Sequence, residues 1–154
     1  MNFGIYLARS AQYWPDKAAV LFQGRALTYR ELEERSNRLA HALRALGLQK
    51  GDRVAIVSPN RPDIVVAECA FYKLGLVKVA LNSRLSPQEL EDALTNAEPQ
   101  ACLVGPAHRP VVQAMRNRLP SVKHALARDC TDSDLADGWL DGLALEAQAP
   151  SHHI

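Results

Sequence analysis

The sequence predicts an α/β fold: a doubly wound, mostly parallel sheet with helices on both faces and a small N-terminal β-hairpin. Three observations lead there. Short apolar runs without a polar alternate, such as Val54-Ala55-Ile56-Val57, suit strands buried on both faces. They alternate with helical segments that carry their own start and stop signals. Between Arg53 and Asn82, a strand, a helix and a second strand fit within about thirty residues, the length of a βαβ unit.

Phe3, Tyr6, Leu7 and Ala11 give residues 2–13 the pattern of a short helix lying on the body, ended by Pro15-Asp16. Ala18–Phe22, the turn Gln23-Gly24 and Ala26-Leu27 predict the edge hairpin. Thr28 and Glu31 then stand at capping-box spacing, with Leu27 and Leu32 at the spacing of a hydrophobic staple. Ser36, Leu39, Ala40, Leu43 and Leu46 continue the buried face until Gly47. Glu33, Glu34, Arg35, Arg38, His41 and Arg44 fall on the solvated side.

Ser58-Pro59-Asn60 breaks the next strand. Residues 64–74 are apolar nearly all round and end at Gly75, so this helix requires cover on most sides and its unit belongs inside something larger. Glu68 is the one carboxylate within it, read as partly exposed or bonded to Tyr72. A second strand follows over 76–81. Ser86-Pro87-Gln88-Glu89 repeats the capping box, with proline at the first helical position and Leu85 and Leu90 as staple. Leu90, Ala93, Leu94 and Ala97 face inward and Pro99 is the stop.

Ala101–Val104 reads as a strand, Gly105-Pro106 as a break, 108–119 as a helix and 122–127 as a further strand. Past Arg128 the pattern weakens. Residues 129–137 are acidic and polar, Trp139, Leu140, Leu143 and Leu145 suggest one short helix, and the tail 149–154 has no evident partner. The expected division is therefore an α/β body over 1–128 and an irregular segment and tail over 129–154.

Composition narrows the function. The 154 residues suit one domain; they are 47% hydrophobic and 23% charged, with net charge +1 and no lysine-arginine block. That argues against nucleic acid or an anionic membrane as the main partner. Glu68, Lys73 and Lys78 interrupt the longest apolar region, so no membrane span is expected. No secretion leader is legible, and three cysteines (Cys69, Cys102, Cys130) without CxxC spacing fit a reducing cytoplasm. Cys69 and Cys102 are read as core residues.

In an open α/β sheet, ligands bind beyond the carboxyl ends of the strands. Here those ends are Ser58-Pro59-Asn60, Asn82-Ser83-Arg84, Gly105-Pro106 through Arg109, and Arg128-Asp129-Cys130. None carries a glycine-rich phosphate loop, and no HExxH, GxSxG or paired-cysteine motif occurs. His152-His153 is read as incidental. The residues themselves give no catalytic centre and no metal site. Ser83, Arg84, His108 and Arg109 remain as binding candidates, since they offer donors suited to phosphate. The competing reading has Arg84 bracing its own loop and Arg109 opening a helix as a solvated charge.

Several fragments occur in order: Pro15-Asp16-Lys17-Ala18-Ala19, Leu27-Thr28-Tyr29-Arg30-Glu31-Leu32, Gly51-Asp52-Arg53-Val54-Ala55-Ile56, Pro59-Asn60, Lys73-Leu74-Gly75 and 82–90, from Asn82-Ser83-Arg84-Leu85-Ser86-Pro87 onward. In this the chain resembles the N-terminal portion of the adenylate-forming superfamily of acyl-CoA synthetases, luciferases and peptide-synthetase adenylation domains. The resemblance covers roughly residues 2–104, and its Asn-x-Arg-Leu-Ser-Pro form favours the acyl-CoA synthetase branch. It makes Thr28, Tyr29, Glu31 and Leu32 a family signature, whose physical role here is a helix cap.

The resemblance implies a carboxylic acid activated by ATP and Mg to an acyl-adenylate, then captured by CoA. It also implies that the nucleotide end of CoA rests on Ser83, Arg84, His108 and Arg109. The family's phosphate loop and later motifs do not occur in the sequence, so the chain is expected to be inactive alone, and ATP, Mg and CoA are implied for the complete enzyme. Its expected partner is the remainder of a larger enzyme. Self-association is expected through apolar helix faces around 64–74. The alternative is a stand-alone scaffold or partner-binding module derived from the same family.

Overall fold

A computed structural model describes residues 3–128 and 138–154. The expected α/β fold is found, with a wholly parallel five-stranded sheet and a separate antiparallel hairpin. Contacts divide the chain into two compact units where the length suggested one body.

The first unit comprises Met1–Lys50, Asn60–Leu76 and Glu146–Ile154. Helix α1 (Gly4–Tyr13) precedes strands β1 (Ala18–Phe22) and β2 (Arg25–Thr28), which pair antiparallel. Gln23 and Gly24 both take positive φ, 49° and 75°, as a two-residue hairpin turn requires. Helix α2 (Tyr29–Ala45) starts as the sequence specifies: the Glu31 amide donates to Thr28 Oγ1, and the Thr28 amide donates to Glu31 Oε2 at 2.8 Å. Helix α3 (Pro62–Leu74) ends on Gly75 at φ 70°.

Apolar burial on α3 explains its all-round composition. Val66, Ala67, Ala70 and Phe71 are buried, while Glu68 and Cys69 are half-buried, so Cys69 is less of a core residue than expected. The exposed apolar surface lies chiefly on α1, not on α3: Phe3, Ile5, Tyr6, Tyr13 and Trp14 are each more than half exposed. Of the α3 apolar side chains, only Tyr72 joins them, with its ring 5.9 Å from Phe3.

Charge inside this unit is heavily paired. Lys73, almost fully buried, reaches Glu33 Oε2 at 2.7 Å and also donates to Asn37 Oδ1. Burial holds its ammonium below the usual lysine range, opposed by the hydrogen bond it donates to Glu33. Glu33 and Arg35 are therefore not solvated, as their helix position suggested. Arg35 grips Glu146 and Asp63, each at 2.6 Å.

The tail does have a partner. Asn37 donates to the Ser151 carbonyl at 2.9 Å, Arg38 to those of Ala147 and Ala149, and His41 lies 4.5 Å from the ring of His152. His41 is thus packed and half-buried, another departure from the expected solvated face.

The second unit comprises Gly51–Pro59 and Val77–Leu145. Its sheet runs β4 (Val77–Ala80), β3 (Arg53–Val57), β5 (Ala101–Val104), β6 (His124–Ala127), β7 (Trp139–Asp141). Helix α4 (Pro87–Ala97) opens on the second capping box, Ser86 with Glu89. Leu90 and Leu94 of α4 and Val112 and Met115 of α5 (Arg109–Met115) pack on Ala55, Val57, Cys102, Val104, Ala125 and Ala127. The expected helix over 108–119 is shorter because 3-10 turns flank α5 at Pro106–His108 and Arg116–Arg118.

The stretch from 138 onward corrects the expectation of an irregular segment with one short helix. Trp139–Asp141 is the fifth strand, paired with β6, and helix α6 (Gly142–Gln148) follows. Trp139 is buried and donates Nε1–H to Gln113 Oε1, which draws a strand edge where periodicity gave none. Asp141 caps α6, accepting from the Leu143 and Ala144 amides at 2.8 and 2.9 Å. The acidic stretch 129–137, with Asp129 and Cys130, lies outside the described residues.

Two predictions follow from the caps and the buried pair. Thr28→Ala should cost about 1 kcal/mol in urea denaturation. Hydrogen bonds from Thr28 and Ser86 lower the Glu31 and Glu89 carboxyls below their ordinary 4.5. Their stabilisation is then present above that pH and lost as acid takes the carboxylates through their folded values, so Thr28→Ala should flatten part of the acid limb. Lys73→Met, which strands Glu33 in a buried site, should cost about 3 kcal/mol, and adding Glu33→Leu should recover part of it.

Candidate functional site

Topology locates the site. From β3 the chain crosses to β4 on one side, and then returns to β5 on the other, so β3 and β5 are neighbours whose connections diverge. That is the switch point of an open α/β sheet, where a crevice forms beyond the carboxyl ends. The floor is tight. The Gly105 amide donates to the Val57 carbonyl at 3.0 Å, and a Cβ on Gly105 would stand 2.8 Å from Ser58 Oγ. Only glycine lets the two strand ends close to this distance.

Above that floor, the structure brings two of the four candidates together. His108 Nε2 lies 2.8 Å from the Ser83 carbonyl oxygen, tying the loop after β4 to the turn after β5. A carbonyl only accepts, so Nε2 carries the proton in this contact and the neutral ring keeps Nδ1 as an acceptor. Nδ1 is buried and meets no hydrogen-bond donor among the described residues. Asn82 shapes the same loop by accepting the Arg84 amide on Oδ1 at 2.9 Å, and the Leu85 amide returns to the Asn82 carbonyl. The brace expected of Arg84 is supplied by Asn82, which leaves the Arg84 side chain exposed. Arg109 is the first residue of α5 and is half-buried. The fourth strand end, at Arg128, turns inward: its buried side chain donates Nη1–H to the Gly142 carbonyl at 3.0 Å.

Chemically the two loops present a turn shaped by its own backbone bonds, one acceptor nitrogen and an exposed guanidinium. Neither described cysteine is an activated nucleophile. Burial pushes the Cys102 thiol up to about 12 and the Cys69 thiol up to about 11, far from the thiolate needed for attack. Among the described residues, no group of three or more histidine, cysteine, aspartate or glutamate side chains is arranged to hold a metal. No described helix is long and apolar enough to cross a membrane.

Thr28, Tyr29, Glu31 and Leu32 lie in the other unit, at the start of α2, with Thr28 and Glu31 engaged in the cap and Leu32 buried. Sequence reasoning missed the Ser83–His108 tie, since 25 residues separate the partners; the hint was that both immediately follow strands.

Comparison with known proteins follows from this geometry. The profile of the AMP-binding enzyme family matches residues 7–152. The mouse long-chain fatty acid transport protein 6 is 35% identical over 91% of this chain and 23% of its own length. A feruloyl-CoA synthase of Amycolatopsis is 40% identical over 74% of this chain and 23% of its own. Among solved structures, a fatty acyl CoA synthetase of Mycobacterium tuberculosis superposes with a TM-score of 0.85 at 27% identity, over 99% of this chain and 29% of that one. The chain thus spans about a quarter of the length of the curated relatives it matches.

If the His108 contact orders the crevice, His108→Ala should raise amide exchange at Ser83, Arg84 and Leu85 about tenfold, while exchange in β3 and β5 stays unchanged. Hydrogen exchange followed by mass spectrometry would read both.

Proposed function

The chain belongs to the AMP-binding enzyme family, and on that premise we propose that it is the N-terminal portion of an ATP-dependent acyl-CoA synthetase. The observation that carries the reading is the continuous family match over residues 7–152, joined to relatives named for CoA ligation. In the proposed reaction a carboxylate oxygen attacks the α-phosphorus of ATP, releasing pyrophosphate. The CoA sulfur then attacks the acyl carbon of the adenylate, and AMP leaves.

This chain's share is the nucleotide end of CoA. Arg84, exposed beyond β4, pairs with a CoA phosphate. Ser83 and Arg109 add donors from the two joined loops, and His108 positions Ser83 through its Nε2–H. The fit rests on the exposed guanidinium and on the unmet acceptor at His108 Nδ1, which suits a hydroxyl or amino hydrogen. ATP is a substrate of the whole enzyme. Mg accompanies ATP in that complete enzyme.

Adenylation needs groups that stabilise charge at the transferring phosphorus, and the family's phosphate loop and later motifs, which supply them, do not occur in this sequence. The chain alone is therefore inactive, and its partner is the remainder of the enzyme, in the cytoplasm, which would cover the aromatic side chains of α1.

Two measurements test this. The chain incubated with ATP and a panel of fatty and aromatic acids should release no pyrophosphate. Titration calorimetry with CoA should show binding that weakens about tenfold in Arg84→Ala and in Arg109→Ala. Pyrophosphate release, or CoA heats equal in all three proteins, would sink the reading.

A further inference from the structure

We propose that the cavity between the β1–β2 turn and the start of α3 binds a phosphate-bearing small molecule. It encloses about 490 Å³ and is lined by Arg25, Arg35 and Arg61, with Gln23, Pro62 and Asp63 completing the wall. All belong to the first unit. Three arginines therefore line it beside one lining carboxylate, and Arg35 already holds that carboxylate and a second one, Asp63 Oδ1 and Glu146 Oε1, each at 2.6 Å.

The arginines are not equivalent. Arg35 is fixed from two sides, by Asp63 and by Glu146 Oε1 on its Nε, also at 2.6 Å. Its Nη1 makes no hydrogen bond to the described residues, so an immobilised guanidinium retains an unspent donor edge. Such a fork loses little freedom when it meets an oxyanion. Arg25 also lines the cavity, is exposed, and its side chain has no hydrogen-bond or ion-pair partner among the described residues. It is free to swing onto a ligand.

Arg61 is the N-cap residue of α3 and makes no side-chain cap bond, while Pro62 occupies the first helical position. Pro62 lines the same cavity, so the positive end of this 13-residue helix lies beside it, with Asp63 as the acidic residue of the first turn. Convergent guanidiniums and a helix N-terminus favour the tetrahedral, multiply charged phosphate over a single carboxylate. The volume exceeds that of phosphate alone and leaves room for an organic portion beside the half-buried Phe22. None of these residues belongs to the candidate CoA loop, so the proposal stands independently of that reading.

The test is calorimetric titration of the full chain with inorganic phosphate and with pyrophosphate, ionic strength being held constant with NaCl. A saturable heat is expected. Arg25→Gln should weaken it about tenfold and Arg25→Glu should abolish it, both with an unchanged circular dichroism spectrum because Arg25 is exposed. Arg84→Gln should leave it intact. No saturable heat from either anion, equal heats in Arg25→Glu, or loss on Arg84→Gln would each overturn the proposal.

Discussion

Ala55, Val57, Cys102, Val104, Ala125 and Ala127 occupy one face of the parallel sheet, and Val54, Ile56, Ala101, Leu103 and Leu126 the other; every one is buried. Strands of this kind have no side to give to water, and a sheet so built must take its connections over its faces and not along its edges. Polar groups are then driven to the ends of the strands. That single demand explains why the chemistry-bearing side chains sit in short loops at the carboxyl ends, and why the cysteines inside the sheet are chemically quiet.

The same demand decides what could be read in advance. The strands were legible because burial on both faces leaves an unbroken apolar run, and helices α2 and α4 because their capping boxes are local devices of four residues. Strand β7 was not legible. Its three residues lack a period, and it exists because Trp139 fills a gap in the core and meets Gln113, 26 positions earlier. Asp141 before Gly142 was an available signal for the start of α6 and was outweighed by the apolar pattern around it.

Distance along the chain limits the reading of charge still more. Glu33, Arg35, Arg38 and His41 have the spacing of a solvated stripe on α2, yet Arg35 meets Glu146 across 111 positions, and Asn37 meets Ser151 across 114. Helical periodicity reports which residues share a face; it says nothing about what arrives later to cover that face. The candidate site shows the same split. That Ser83, Arg84, His108 and Arg109 follow strands was visible from pattern alone, whereas the bond from His108 to Ser83, and the division of labour between Asn82 and Arg84, emerge only from the folded backbone.

The close approach of Gly105 to Ser58 carries a consequence for how this crevice tolerates change. A methyl group at 105 would stand 2.8 Å from the serine hydroxyl and 3.2 Å from its Cβ, so it enters only if that side chain turns away or is cut back. Alanine at 105 is then tolerated better with glycine at 58 than with serine, which couples the two substitutions.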